Sequence, residues 1–153
     1  MLAKKIIGPQ SVIPKVYHVR VAVNQPGYYD ASPREFVREE DLERLRRGGF
    51  MKRRLHHKQQ PSSRETGYIH NHHPHTPTPV PLKSMAQLTW IDSHTLKMVL
   101  LEGKKRQIRR LCLDVLHVEV LRLERVGIGE IRIENLPVGK WRPLSEWEVR
   151  SLL

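Results

Sequence analysis

Cysteine is almost absent from this chain, which has one thiol, Cys112, among 153 residues. A single cysteine excludes a disulfide framework and a cysteine-rich zinc module. Aromatic residues make up only 6% of the chain, so aliphatic side chains must form most of any core. No apolar run approaches the ~18 residues of a membrane-spanning helix, and the first residues lack the apolar stretch of a secretion signal. We therefore expect an intracellular protein without a membrane partner, in a compartment that the sequence leaves open.

Acidic residues are also few compared with basic ones. The chain has 27 Lys and Arg against 16 Asp and Glu, and therefore a formal net charge of +11. A surface of this charge favours a polyanionic partner, and nucleic acid is the most general partner of that kind.

Residues 52–82 differ in composition from the rest of the chain. Within them, residues 70–81 combine closely spaced histidines with prolines at every second position, without an apolar period. Because proline lacks the N–H donor that helices and sheets require, we expect residues 52–82 to be a disordered, low-complexity insertion. The insertion would divide one domain into a first part, residues 1–51, and a second part, residues 83–153.

The first part predicts a strand followed by a helix. Residues 16–23 are rich in β-branched side chains and partly alternate in polarity. A capping-box sequence follows, with Ser32 as the N-cap and Glu35 three residues later. One helix is expected from this point to Gly48, since glycine commonly ends a helix.

The second part predicts two strands, a helix and a further strand. The two strands flank a turn at residues 92–94, and a helix with one apolar face spans residues 104–117. A strand covers residues 117–126, and another short strand is expected at Ile131 and Ile133. A second capping box at residues 145–148 begins a short C-terminal helix, and the nearby Trp141 and Trp147 are expected to pack in the core or at its rim. The order β-α-β-β-α-β predicts an α+β, ferredoxin-like fold with a mixed, antiparallel-rich sheet and helices.

Five cations lie within seven residues at the start of the second long helix. They are Lys104, Lys105, Arg106, Arg109 and Arg110. Cations are unfavourable at the positive N-terminal end of a helix, by about 0.3 kcal/mol or more each. The same placement becomes favourable when an anion binds, because free N–H groups and guanidiniums then converge on it. Spacing alone supports a phosphate site and a solvated basic surface equally.

The residues around this run resemble the C-terminal part of bacterial-type ribosomal RNA pseudouridine synthases that modify single uridines. Four segments are similar. The first is residues 102–110, which end in Arg-Gln-Ile-Arg-Arg, and the others are residues 120–129, residues 139–144, and a Lys-x-Tyr strand at residues 15–17 with the residues that lead into it. The resemblance covers all of the chain except the insertion. It implies a pseudouridine-synthase-like fold, binding to ribosomal RNA in the manner of enzymes that isomerise uridine to pseudouridine, and no cofactor.

The resemblance also implies roles for individual residues. Tyr17 takes the place of the tyrosine that packs on the target uracil, and a flat ring suits a flipped base. Arg109 takes the place of the arginine that pairs with the catalytic aspartate, and its planar fork suits a carboxylate. RNA phosphates would be bound by Lys15, Lys104, Lys105, Arg106 and Arg110. The alternative interpretations are an ordinary strand aromatic for Tyr17 and a surface lysine for Lys15.

The nucleophile of the family, an aspartate in a Gly-Arg-Leu-Asp motif, has no counterpart in this chain. The four aspartates are Asp30, Asp41, Asp92 and Asp114, and none follows Arg-Leu. Since uridine isomerisation needs that carboxylate, we expect an N-terminally incomplete domain with an exposed sheet edge, inactive as this chain alone. The chain is then a segment of a longer enzyme, a relative that has lost catalysis, or a protein completed by a second chain.

Of three interpretations from other classes, one stays open beside this one and the residues argue against the other two. The composition equally fits a non-catalytic basic ribosomal or ribosome-assembly protein. The four histidines at residues 70–75 offer zinc or nickel ligands, but a flexible proline-rich stretch lacks fixed geometry, so we expect no metal site. A module that binds single-stranded RNA stacks bases on strand aromatics, whereas these strands carry mainly Val, Leu and Ile.

Overall fold

The computed structural model describes residue 6, residues 10–51 and residues 79–153. Its strands are β1 (Lys15–Val23), β2 (Gly49–Met51), β3 (Val80–Leu82), β4 (Gln87–Trp90), β5 (Thr95–Leu100), β6 (Val118–Ile128) and β7 (Ile131–Arg132). Its helices are α1 (Pro33–Phe36), α2 (Glu39–Arg46), α3 (Gln107–Asp114) and α4 (Glu146–Ser151). Most of the predicted insertion lies outside the described residues, but its last three residues are strand β3, which pairs with β2.

The main sheet has five strands in the order β4-β5-β1-β6-β7, and every neighbouring pair is antiparallel. Strand β1 lies in the middle, although it is first in the chain. The two helical regions connect β1 to β4 and β5 to β6. This arrangement confirms the predicted α+β, ferredoxin-like order, to which β7 and the β2–β3 ribbon are added.

The hydrophobic core lies between one face of this sheet and helices α2 and α3. Alternate residues of β1, such as Val19 and Val21, are fully buried on that face together with Leu96 and Met98 of β5. The helices contribute Leu42, Leu45, Ile108, Leu111 and Cys112. Burial of an aliphatic side chain of this size stabilises a fold by about 1.5–3 kcal/mol, so this layer holds α3 against the sheet, with the start of the helix near the start of β1.

The single helix predicted after Ser32 is wrong, because the structure has two short helices there. Val37 (φ −78°, ψ 124°) and Arg38 (φ −75°, ψ 144°) are extended and separate α1 from α2, and the Ser32 side chain makes no cap hydrogen bond. In a continuous helix Val37 and Leu42 would point about 140° apart. The break allows both side chains to be buried. The predicted end at Gly48 is confirmed, with a positive φ of 80°.

The predicted helix over residues 104–117 is also too long. Helix α3 starts at Gln107, and Arg106 before it is in the left-handed region at φ 56°. The first three cations of the run therefore lie in a loop that precedes the helix. At the other end, His117 also has a positive φ of 56° and directs the chain into β6.

The C-terminal helix begins at the predicted capping box. Ser145 Oγ accepts a hydrogen bond from the Glu148 N–H, and the Glu148 carboxylate accepts one from the Ser145 N–H at 2.8 Å. Neither tryptophan lies in the core, since Trp141 is 83% and Trp147 58% exposed, so that part of the expectation is wrong. Helix α4 instead turns Glu148 and Leu152 inward. Among the described residues, no helix is both long and apolar enough to cross a membrane.

Candidate functional site

A cavity of about 280 Å³ lies between the end of β5, the loop before α3, and strands β1 and β6. It is lined by Tyr17, Leu100, Glu102, Gly103, Lys104, Arg106, Gln107, Ile108, Arg109 and Leu123. The cavity thus brings together Tyr17 and Arg109, which are far apart in the chain. Three of its lining residues are cations and one is a carboxylate. We name it the Tyr17 cavity.

Strand alternation directs Tyr17 toward the helices. Tyr17 lies on the same face of β1 as Val19, is half-buried, and packs against the core. Its neighbours in register are Met98 on β5 and Arg125 on β6. Because directly paired residues share a face of the sheet, Arg125 lies beside Tyr17. Sequence analysis did not identify Arg125 as a neighbour of Tyr17, since the local sequence does not show which residues of two strands lie opposite each other.

Arg109 projects from the exposed side of α3 toward β6. Its Nη1 donates a hydrogen bond of 2.9 Å to the carbonyl oxygen of Val120. This contact fixes the guanidinium relative to the sheet. Since a guanidinium has five N–H donors in a rigid fork, donors remain for an anion in the cavity.

The loop at residues 103–106, which we name the basic loop, carries three of the predicted phosphate ligands. Lys104 and Arg106 line the Tyr17 cavity, and Lys105 is exposed beside it. Lys104 Nζ lies 3.2 Å from Glu102 Oε2 and also contacts the carbonyl oxygen of Pro81. The loop therefore presents several positive charges at the mouth of the cavity, and an anionic ligand would be attracted to it.

Lys15 and Arg110 lie in different surroundings from the basic loop. Lys15 is 4% exposed and its Nζ donates to Ser11 Oγ at 2.9 Å, so the surface-lysine interpretation is wrong. Burial above all, and then the charges of Arg125 and Lys83, lower the pKa of Lys15. Arg110 is half-buried, and in the described part of the chain its Nε and Nη2 atoms are enclosed without a hydrogen-bond partner.

The carboxylate at the cavity, Glu102, is engaged by its neighbours. It accepts hydrogen bonds from Gln107 and from the Lys83 backbone and pairs with Lys104. Asp41 on α2 instead accepts from Arg38, the residue before that helix, and Asp92 closes the hairpin turn between β4 and β5. Glu102 precedes the cation run and Gln107 lies within it, and their place in the segment at residues 102–110 was the signal available for them.

Metal ligation receives no support from the part of the chain that the structure describes. There, no three His, Cys, Asp or Glu side chains come close enough to hold an ion. The histidine-rich residues 70–75 lie outside that part. The cavity as described offers one aromatic face and several cationic donors, a combination suited to a nucleobase and its phosphates.

Comparisons with known proteins point to one class of enzyme. No protein-family model matches the chain. Ribosomal large subunit pseudouridine synthase E of Vibrio parahaemolyticus is 28% identical over 145 residues, which are 95% of this chain and 52% of the relative. The dual-specificity RNA pseudouridine synthase RluF of Salmonella typhi is 38% identical over 56 residues, 37% of this chain and 19% of the relative.

A solved structure supports the same comparison at the level of fold. The crystal structure of a pseudouridylate synthase superposes with a TM-score of 0.57 at 21% identity, over 99% of this chain and 50% of that one. The matches to synthase E and to this structure cover nearly all of this chain, which spans about half the length of each relative. The predicted resemblance to RNA pseudouridine synthases is confirmed by these relatives, and the solved structure supports the fold.

Proposed function

From the similarity of nearly the whole chain to RNA pseudouridine synthases, we propose that it binds ribosomal RNA through the Tyr17 cavity. The observation that carries this proposal is the convergence of Tyr17, Arg109 and the basic loop on one cavity. A base extruded from its stack needs an aromatic platform, and the phosphates beside it need cations. Action on ribosomal RNA would also place the protein inside the cell.

Each group of the cavity has a role in this proposal. Tyr17 stacks on the target uracil, and Lys104, Lys105 and Arg106 bind the flanking phosphates. Arg109, held by Val120, pairs with the carboxylate of a catalytic aspartate. The burial of Lys15 and the enclosed guanidinium of Arg110 favour supporting roles for these two residues rather than phosphate contacts.

We further propose that this chain does not isomerise uridine alone. The reaction breaks the bond from C1′ to N1 and forms a bond from C1′ to C5, while C5 loses its proton to solvent and N1 takes one up. It needs a carboxylate that is available to the sugar or base. The described carboxylate at the cavity, Glu102, is already bound by three partners. The catalytic carboxylate would then come from another polypeptide segment or a second chain.

The outer edge of β6 offers a place for such a segment. Strand β6 pairs with β1 over most of its length, but on its other side it pairs with β7 only at Gly127 and Ile128. Within the described ranges, no strand covers the rest of that edge. An open edge of this length is a template for a further strand.

Tritium release from ribosomal RNA labelled at carbon 5 of uridine tests both parts of the proposal. We expect no release by the purified chain alone, and release by the protein isolated from its native source with its associated polypeptides. Arg109→Ala introduced into the gene should abolish that release, whereas Arg20→Ala on the outer sheet face should not. Release by the chain alone would contradict the proposed division of the site.

A non-catalytic ribosomal or ribosome-assembly protein is the second candidate, favoured by the occupied Glu102. It predicts binding to ribosomal RNA with no tritium release from either preparation. In that case Arg109→Ala should affect RNA affinity no more than Arg20→Ala does.

A further inference from the structure

The side chains of Glu102 and Gln107 meet across the base of the basic loop. Glu102 Oε1 accepts a hydrogen bond from Gln107 Nε2 at 2.9 Å, and Gln107 Oε1 accepts one from the Lys104 N–H at 3.0 Å. Gln107 is 4% exposed, so these polar atoms depend on each other rather than on water. The two side chains therefore close the loop from both ends.

Glu102 also attaches the loop to the end of β3. The same Oε1 accepts a hydrogen bond from the Lys83 N–H at 3.0 Å, and Oε2 lies 3.2 Å from Lys104 Nζ. The side chain of Glu102 is 10% exposed. One largely buried carboxylate thus joins the end of β5, the basic loop and the residue that follows β3.

The basic loop would not hold its shape by itself. Lys104, Lys105 and Arg106 carry like charges on consecutive residues, and Arg106 is in the left-handed region that non-glycine residues avoid. Such a conformation persists only where the surroundings determine it. Among the described contacts, the side chains of Glu102 and Gln107 hold the loop at its two ends, and Lys104 Nζ also contacts the carbonyl oxygen of Pro81.

We propose that Glu102 and Gln107 are positioning residues that hold the basic loop in the conformation that binds RNA phosphates. The inference rests on the proposed function, because the ligand of the loop is RNA. A loop that is already ordered loses less side-chain and backbone entropy on binding. An amide at position 107 can donate to Glu102 and accept from Lys104 at once, which neither a carboxylate nor a thioether can do.

Removal of the Glu102 charge distinguishes a positioning role from a purely electrostatic one, because the two predict opposite changes in RNA affinity. Long-range charge alone predicts that Glu102→Ala tightens RNA binding, because it makes the chain more positive. A positioning role predicts weaker binding, by about tenfold, because three cationic side chains lose their order. Glu102→Gln, whose oxygen can still accept from Gln107 and Lys83, should restore most of the affinity.

The measurement is fluorescence anisotropy with a labelled RNA stem-loop, together with amide hydrogen exchange. Gln107→Met changes no charge and should also weaken binding about tenfold. The matched controls are Glu119→Ala on β6 and Gln87→Met on β4, both at exposed positions. In the variants at 102 and 107, exchange at the Lys104 amide should become faster, and Glu102→Ala should also release the Lys83 amide.

Each outcome decides between the hypotheses. Tighter binding by Glu102→Ala, or exchange at Lys104 and Lys83 that neither variant changes, would overturn the positioning role. Failure of the unaltered chain to bind the stem-loop would overturn the proposed function and with it the phosphate-positioning role. Hydrogen exchange would then still show whether the two residues hold the loop, so the two failures are distinguishable.

Discussion

Two regions of this molecule use arginine in opposite ways. In the C-terminal region, Arg142 donates to both oxygens of the buried Glu148 carboxylate, at 2.8 and 2.6 Å, beside the Ser145 cap. In the Tyr17 cavity, the cations Lys104, Arg106 and Arg109 line the same space as one carboxylate, Glu102, and the ion pair recorded for that carboxylate is with Lys104. The C-terminal charges are matched within the fold and contribute to its stability. The cavity charges exceed their internal partners, and they are therefore suited to an external anion.

The largest expected effect is on RNA affinity after removal of charge from the basic loop. Lys105→Gln with Arg106→Gln should weaken binding about 20-fold at physiological salt and reduce the slope of log affinity against log salt by about 1.5, since each lost phosphate contact removes about 0.7–0.9. The control is Arg20→Gln with Arg34→Gln, which changes the same charge at exposed positions elsewhere. Equal losses in both pairs would show that only the net charge of the chain matters.

Loss of the aromatic platform should have a somewhat smaller effect. Tyr17→Ala is expected to weaken binding to RNA with an unpaired uridine about tenfold, as stacking contributes about 1–3 kcal/mol per base, whereas Tyr17→Phe should keep most of the affinity. Tyr29→Ala, in the exposed loop at the other end of β1, is the control. Anisotropy titrations that rank Tyr29→Ala with Tyr17→Ala would remove Tyr17 from the proposed site.

The matched charges of the C-terminal region should affect the pH dependence of stability and not the affinity for RNA. The hydrogen bonds from Arg142, and then from the Ser145 backbone, lower the pKa of Glu148 from 4.5 to about 2. A lowered folded-state pKa gives stability that is present above pH 4.5 and is lost as the pH falls toward 2. Thermal unfolding of Glu148→Gln should therefore start from a lower midpoint at pH 7 and fall less over that range than the unaltered chain.

Glu146→Gln on the exposed side of α4 is the control for this measurement. It should reproduce the acid dependence of the unaltered chain. If Glu148→Gln and Glu146→Gln unfold alike across this pH range, the C-terminal pair does not stabilise the fold. Neither variant should alter RNA affinity, because the comparison assigns these charges to the fold alone.

The smallest expected effect concerns the core, which neither region uses for an external ligand. Burial raises the pKa of the Cys112 thiol to about 12, and the side chain is fully enclosed. We expect no alkylation of the native protein by iodoacetamide at pH 8, and full alkylation in denaturing urea, followed by mass spectrometry. Rapid labelling of the native chain would mean that α3, which carries Arg109, opens from the sheet.

Part of the candidate site could be predicted from the sequence. The run at residues 104–110 identified Lys104, Arg106 and Arg109, because a cluster of cations is a local pattern. The resemblance added Tyr17, which the structure places in the same cavity. The burial of Lys15 could not be predicted, since it depends on the packing of Ser11 over a strand end that a sequence pattern does not show.

The fold shows the same limit. The alternation of β1 and the apolar face of α3 predicted the element order, because both depend on neighbours within a few residues. The break between α1 and α2 was missed, since Ser32, Pro33 and Glu35 form the same capping pattern before a short helix as before a long one. The sheet then decides which apolar residues must turn inward.

By itself, the sequence determined the order of the elements in the ferredoxin-like unit, the capping box of α4 and the excess of positive charge. These properties depend on spacing along the chain, because local hydrogen bonds and i, i+4 contacts join residues only a few positions apart. Only the tertiary structure decided that Tyr17 lies between Met98 and Arg125 and that Arg109 reaches Val120. Strand register and the packing of α3 on the sheet set those contacts, and both depend on the whole core rather than on any single segment.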